Sequence, residues 1–228
     1  MPAPRTETPS PPPHVAARLP GPVLLRQALL ASIRTVPAGQ PLIRAAWNRA
    51  SIFPARVSVT HRFGPPPQFK QDGDFPFHWV YAAADAMTAA WEACLCRNDV
   101  TDPGTFYLAP GAEAALICSL RFALPLTLID LSGITLSKLR LSDDISSPDH
   151  EAMQWFGCML DAVIADQDGR IAGIGYPSRK QRGHQAIAIS SRSIGSLTPG
   201  LTVACQPFGA TAACAALKAD PCRQAPPR

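Results

Sequence analysis

Short apolar runs and longer helical patterns succeed one another along the chain without strict alternation. The short runs predict buried strands at 41–47, 79–83, 112–120, 126–131, 171–175, 186–190 and 201–205. Patterns with a helical period predict helices at 23–36, 85–97, 147–165 and 210–218, with a short helix or turn at 136–141. This mixture favours an α+β fold, a compact mixed sheet with flanking helices, over a doubly wound sheet.

The stretch from Trp79 to Arg97 predicts a strand end, a tight turn and a helix. Asp85 is a good N-cap because its side-chain oxygen can accept from free N–H groups of the first turn. One apolar helix face follows, made of Met87, Ala90, Trp91, Cys94 and Leu95. Glu92 falls about 60° beyond the edge of that face. A carboxylate there could line the rim of a cleft that Tyr81, at the strand end, also borders.

Proline marks the ends of the chain and one loop. The 228 residues include 25 prolines, and 46% of them are hydrophobic, which suits one domain with an ordinary core. We expect a disordered Pro-rich tail over 1–21, a single domain over 22–205, and a partly disordered extension over 206–228.

Charge and cysteine usage narrow the class of protein. The net charge of +4 is small and its basic residues are scattered, which argues against direct nucleic-acid binding. The seven cysteines show no Cys-x-x-Cys spacing, so no metal site is expected and most are interpreted as small core residues. Neither a signal peptide nor an apolar run of about 20 residues is visible, which predicts a cytoplasmic protein without a membrane segment.

Three arginines stand in positions where an anion could bind. Arg44 lies in a predicted strand; it either faces solvent or needs an anionic partner. Arg62 lies in a Pro-rich loop, where its forked donors could hold a phosphate or simply be solvated. Ser178 and Arg179 follow Pro177 at a strand end. The glycines Gly173 and Gly175, in the same strand, indicate a bulge or a close backbone approach.

Familiar catalytic signatures are missing from the sequence. There is no Gly-x-Gly-x-x-Gly, no Walker loop and no Gly-x-Ser-x-Gly elbow. The five histidines are dispersed, and the carboxylate pair Asp143-Asp144 is most simply a solvated loop.

Taken in order, four marks resemble the RES domain family. They are Arg44, the pair Arg62-Phe63, the run Tyr81-Ala-Ala…Thr88-Ala-x-x-Glu92, and Gly173-Ile-Gly-Tyr-Pro-Ser-Arg179. The resemblance spans about residues 40–195. It implies a fold similar to that of ADP-ribosyltransferase toxins. It also implies an NAD⁺-degrading toxin of a bacterial toxin–antitoxin pair, acting by phosphorolysis, hydrolysis or ADP-ribosylation of a protein. The implied partners are NAD⁺ as substrate rather than cofactor, and an antitoxin with a helix-turn-helix; homo-oligomerisation is left open.

The resemblance also assigns roles to individual residues. The catalytic ones would be Glu92, Tyr81 and Arg44, and the substrate-binding ones Arg62, Ser178 and Arg179. Arg44 and Arg62 would hold the pyrophosphate, and Tyr81 would pack on the nicotinamide or its ribose. Glu92 would bind a ribose hydroxyl and stabilise the charge that develops as the glycosidic bond breaks. Ser178 would bond a phosphate or ribose oxygen.

Two features depart from the family pattern. His61 stands where the family usually has glycine, and a glycine with positive φ there would make His61 a source of strain beside Arg62. Arg49 and Arg56 compete with Arg44 for the role of the first arginine. Two alternatives to an NAD⁺-consuming enzyme are therefore kept: a RES-like module that binds a nucleotide or a partner without turnover, and an unrelated protein in which Tyr81 and Glu92 are ordinary packing residues.

Overall fold

The computed structural model describes residues 9–142, 145, 150–181 and 183–227, and it has an α+β architecture. Seven helices are seen in this part of the chain: α1 Pro13–Ala16, α2 Pro22–Leu30, α3 Ala86–Glu92, α4 Ile134–Leu139, α5 Glu151–Ala165, α6 Ser191–Leu197 and α7 Ala212–Ala219. The strands are β1 Ile33–Val36, β2 Pro41–Ala46, β3 Trp79–Ala83, β4 Cys96–Asn98, β5 Phe106–Leu108, β6 Leu116–Arg121, β7 Leu126–Asp130, β8 Gly173–Pro177, β9 Gln185–Ser190 and β10 Thr202–Pro207. The predicted mixed sheet with flanking helices is confirmed.

Eight of the strands form one mixed sheet, and β4 and β5 form a separate hairpin. The strand order in the sheet is β1-β7-β8-β9-β3-β2-β6-β10. Only β7 and β8 run parallel; the other neighbours are antiparallel. The strands β2 and β3 share a single register pair, Ile43 with Ala83, so the sheet is open beyond that point.

Alternating residues of β3 assign the two faces of the sheet. Trp79 and Tyr81 pack with apolar residues of α2, α4 and α5, whereas Val80 and Ala82 pack with the opposite cluster, which includes Ile194 of α6. A third cluster holds α3 and α7 against β2, β3 and β6. The stretch around β3 and α3 therefore lies where these three clusters meet.

The two glycines of β8 allow close approaches, as the sequence indicated. A Cβ atom on Gly173 would collide with the Ala188 carbonyl of β9, and one on Gly175 would collide with the Arg34 guanidinium. Arg34 reaches across the sheet in this way to bond Gln185. At Gly173 the neighbour is main chain, so glycine is required there by contact rather than by a bulge; at Gly175 the neighbour is the end of a flexible side chain.

Several predicted boundaries were wrong. The helix predicted over 23–36 ends at Leu30, and Ile33–Val36 form the edge strand β1, which suits its β-branched residues. The helix predicted over 85–97 ends at Glu92, because Cys94 has φ 57° and the Leu95 N–H donates to the Ala90 carbonyl over 2.9 Å. The strand predicted over 112–120 begins only at Leu116. The helix start predicted at Ser147-Pro148 lies outside the described residues.

The chain ends are also more ordered than predicted. Within the tail expected over 1–21, α1 forms, and its Val15 is buried against Ala152 and Trp155 of α5. In the extension expected to be partly disordered over 206–228, the helix predicted at 210–218 forms as α7 and buries Cys214 and Leu217 beside α3. Apolar residues among the prolines and alanines thus give both segments a surface to bury, which composition alone did not indicate.

Two cysteines differ from the expectation of small core residues. Cys118 of β6 and Cys205 of the edge strand β10 face each other in register, with 4.1 Å between their Cα atoms, and form a disulfide. Disulfides persist mainly in oxidising compartments, so this bond is unexpected for the reducing cytosol that the sequence predicted. In the described part of the chain, no helix has the length and apolar character needed to cross a membrane.

Candidate active site

The helix α3 starts as the sequence predicted. The Asp85 carboxylate accepts from the Thr88 N–H over 2.8 Å and is the N-cap. Ala89 and Ala90 then bury the helix against the sheet. The helix α3 ends shortly after this buried segment, and its last residue is Glu92. Glu92 therefore lies next to the end of β8.

Two hydroxyl groups hold the Glu92 carboxylate. Ser178 donates to Oε1 over 2.7 Å, and Tyr176 donates to Oε2 over 3.0 Å. Both donors are buried, with exposed fractions of 3% for Ser178 and 1% for Tyr176, whereas Glu92 is partly exposed. A carboxylate at a helix C-terminus is opposed by the helix dipole, so these charge-assisted bonds offset an unfavourable position.

A row of polar contacts joins α3 to the loop after β8. Residues 85, 88 and 92 fall on one face of a helix, since their spacings are three, four and seven. Their contacts to the loop are Asp85 to His184 at 3.1 Å, Thr88 to Gln181 at 2.9 Å and Glu92 to Ser178 at 2.7 Å. The loop that carries Ser178 is therefore fixed along the length of α3.

Arg62 is a buried cation beside this carboxylate. Only 7% of its surface is exposed, and its guanidinium carbon lies 5.9 Å from the ring centres of both Phe63 and Tyr176. Its Nε and Nη1 atoms have no hydrogen-bond partner among the described residues. A buried guanidinium with unpaired N–H groups is costly unless an anion meets it, so Arg62 is the candidate anion-binding residue of this site.

The loop that holds Arg62 is anchored from two sides. The Phe63 carbonyl accepts from the Trp79 indole N–H over 2.6 Å. On the other side α5 approaches so closely that a Cβ atom on Gly157 would collide with Phe63 main-chain atoms. His61 does not have a positive φ, so histidine in place of the expected glycine leaves the backbone unstrained here.

Tyr81 lies among the charges of the site. Its ring is edge-on to the ring of Tyr176, with centres 6.5 Å apart, and its hydroxyl has no hydrogen-bond partner within the described chain. Burial raises the pKa of Tyr81 well above its usual range, and Glu92 raises it further, against the opposing effects of the nearby Phe63 amide, Arg62 and Arg44. Tyr81 therefore stays protonated, with a buried hydroxyl that has no partner among the described residues.

Arg44 occupies the opening between β2 and β3. Its two terminal nitrogens donate to the main-chain carbonyls of Tyr81, over 2.6 Å, and Ser51, over 2.7 Å. Burial lowers the pKa of Arg44 to about 10. Of its rivals, Arg49 is exposed, and Arg56 pairs on the surface with Asp74. Arg44 is thus the arginine at the site, but two of its donors already serve the backbone.

Arg179 and Lys180 complete the basic side of the site. Both are partly exposed. Burial lowers the pKa of Arg179 and the neighbouring Arg62 lowers it further, while Glu92 opposes this. Burial likewise lowers the pKa of Lys180, and Arg179 adds to the effect. These cations repel one another and would gain from a bound anion.

The structure brings together all six residues that the sequence singled out, although the terminal nitrogens of Arg44 already bond main-chain carbonyls. Reasoning from sequence missed the role of Tyr176, although a tyrosine inside a buried strand needs a partner for its hydroxyl. It also missed the role of Thr88, a buried residue three positions after the N-cap Asp85, in joining α3 to the loop after β8. In the described residues no group of three or more His, Cys, Asp or Glu side chains could hold a metal ion.

Comparison of this chain with protein-family models, with curated proteins and with solved structures finds no match. The chemistry of the site must therefore be inferred from its own side chains.

Proposed function

We propose that the protein is an NAD⁺-consuming enzyme that cleaves the bond between nicotinamide and ribose. The observation that carries this proposal is the buried guanidinium of Arg62, with unpaired donors, next to a carboxylate that two hydroxyl groups hold. A dinucleotide offers what such a site lacks: a pyrophosphate for the cations and a ribose for the carboxylate. The resemblance of the sequence to RES domains agrees with this chemistry.

In this proposal each side chain has one task. Arg62 binds the pyrophosphate through its free N–H groups, with Arg179 at the partly exposed side. The Tyr81 hydroxyl meets the nicotinamide ribose. As the bond between C1′ and the nicotinamide nitrogen breaks, its electron pair leaves with nicotinamide and positive charge develops on the ribose. The fixed carboxylate of Glu92 stabilises that charge.

The reaction ends with an acceptor. A hydroxyl oxygen of water, of phosphate or of a protein side chain bonds to C1′ and loses its proton. These three acceptors correspond to a glycohydrolase, a phosphorylase and an ADP-ribosyltransferase. With the family resemblance, the biological role proposed is that of a bacterial toxin held in check by a helix-turn-helix antitoxin.

The test measures nicotinamide release and NAD⁺ depletion by the purified protein, with and without phosphate. The Glu92→Gln variant keeps the size of the side chain and removes its charge, so we expect a loss of roughly 100- to 1000-fold in kcat. Glu113→Gln is the matched control, because Glu113 is an exposed carboxylate paired with Lys218 at 2.6 Å. Folded protein that leaves NAD⁺ intact under both conditions refutes the proposal.

One observation favours a second function. Both Glu92 oxygens already accept hydrogen bonds from the protein, as a purely structural carboxylate would. In that case the site binds a nucleotide without turnover. Saturable NAD⁺ binding by calorimetry, with no nicotinamide released, would favour this function over cleavage.

A further inference from the structure

The structure assigns Tyr176 as the positioning residue that fixes the plane of the Glu92 carboxylate. This inference rests on the proposed function for its catalytic meaning, and it goes further by naming a residue on which the catalytic carboxylate depends.

The geometry of the two donors supports this role. A carboxylate turns freely about its last carbon–carbon bond unless both oxygens are held. Ser178 holds Oε1, and only Tyr176 holds Oε2 among the described residues. Without the Tyr176 hydroxyl, Glu92 would pivot on its bond to Ser178 and could turn away from the substrate.

Tyr176 is itself rigid, which a positioning residue requires. It is 1% exposed, on a strand that pairs on both sides. Its ring packs edge-on to the rings of Phe63 at 5.0 Å and Tyr81 at 6.5 Å, and the Arg62 guanidinium lies over it. A tyrosine has two main torsions, so this packing leaves its hydroxyl one direction to point.

The direction of each hydrogen bond is also fixed. The Gln181 N–H donates to Ser178 Oγ over 3.1 Å, which leaves the Ser178 proton for Glu92. Burial, and then Glu92, raise the pKa of Tyr176 well above its usual range. The Tyr176 hydroxyl therefore stays protonated and remains a hydrogen-bond donor to Glu92 at the pH values at which the protein is folded.

Tyr176 also connects the carboxylate to the anion site. The same ring bonds Glu92 at its hydroxyl and contacts the Arg62 guanidinium at its face. It thereby sets the distance between the group that would meet the ribose and the group that would meet the phosphates. Phenylalanine at this position would keep the distance between Glu92 and Arg62 and would remove only the hydrogen bond to the Glu92 carboxylate.

The Tyr176→Phe variant tests the inference. We expect kcat for nicotinamide release to fall by roughly 10- to 100-fold, the usual effect of losing a hydrogen bond to a charged group, with KM for NAD⁺ changed less than about twofold. Tyr107→Phe, on β5 and outside the site, is the matched control and should leave both constants unchanged. A rise in KM with kcat preserved would overturn the inference.

A double-mutant cycle separates positioning from general support of the fold. In a Glu92→Ala background, Tyr176→Phe should lower the remaining rate no further, because its effect passes through Glu92. Independent, multiplied losses would overturn the inference and leave the proposed function standing.

The inference remains testable if the wild-type protein releases no nicotinamide, which would refute the proposed function. The same cycle is then measured in free energies of unfolding by urea denaturation. Coupling between the two substitutions supports the hold of Tyr176 on Glu92, and additive effects overturn it.

Discussion

Replacing Arg62 by methionine should stabilise the fold while it abolishes binding of the dinucleotide. Most substitutions of a buried residue destabilise a protein, so this sign is diagnostic. Methionine is unbranched and flexible enough to fill the volume that the arginine stem leaves. The substitution removes a buried charge that has unpaired donors on Nε and Nη1.

The magnitude follows from the contacts of Arg62. Two unpaired buried donors cost about 2–6 kcal/mol, at about 1–3 kcal/mol each. The contacts with the faces of Phe63 and Tyr176, both at 5.9 Å, return about 1–2 kcal/mol in total. The net gain expected from the substitution is therefore about 0–5 kcal/mol, and each kcal/mol raises Tm by about 2–4 °C in a chain of this size.

Thermal and urea denaturation measure this gain, each with and without ADP-ribose. The ligand should raise the Tm of the wild type and leave that of Arg62→Met unchanged. Arg56→Met is the matched control: Arg56 forms a surface pair with Asp74, so its loss should change stability by less than about 1 kcal/mol. An Arg62→Met protein that is less stable than the wild type without ligand would refute the interpretation of Arg62 as an anion site that is empty in the free protein.

Two further predictions concern the elements that hold the site. Gly157→Ala should cost about 1–3 kcal/mol in unfolding free energy and lower kcat, because its Cβ collides with Phe63 main-chain atoms; Gly195→Ala, where the space is open, should cause neither effect. Burial alone would raise the pKa of Asp85, but hydrogen bonds from Thr88 and His184 bring it below its ordinary 3.8. Asp85 therefore adds stability above pH 3.8 that is lost as the pH falls through its folded pKa, and Asp85→Asn, which keeps the N-cap, should remove this pH dependence in urea titrations from about pH 2 to pH 5. An unchanged pH dependence would contradict this.

Local signals predicted the elements that local chemistry determines. The N-cap at Asp85 and the strand before it could be read from the sequence because each depends on neighbours within four residues. The end of α3 could not, since Cys94 adopts a left-handed conformation that its residue type does not favour. The edge strand β1 was also missed, because its partner β7 lies some 90 residues away and pairing overrides helical periodicity.

The candidate site was predictable as a list but not as an arrangement. The sequence brought Arg44 forward as a catalytic residue and Arg62 as a substrate-binding residue, with both expected to hold the pyrophosphate. In the folded chain, the terminal nitrogens of Arg44 serve main-chain carbonyls, whereas Arg62 is buried without such partners. Arg44 finds its main-chain partners because it lies in the opening between β2 and β3. The strand register that creates such an opening is not encoded in a single sequence motif. The contact between Tyr176 and Glu92 joins residues 84 positions apart, so a single motif does not encode it either.

The position of α7 has a consequence for the order in which the site is built during synthesis. The helix that carries Glu92 buries Ala89 and Ala90 in a cluster completed by Cys214 and Leu217 of α7. The main chain at Phe106, whose side chain belongs to the same cluster, then bonds to Cys222 and Gln224. These residues follow every proposed site residue in the sequence. A nascent chain therefore lacks this support for the helix that carries Glu92 until residues 214–224 have been synthesised, and a chain truncated near residue 205 would contain every proposed site residue but leave that helix unsupported.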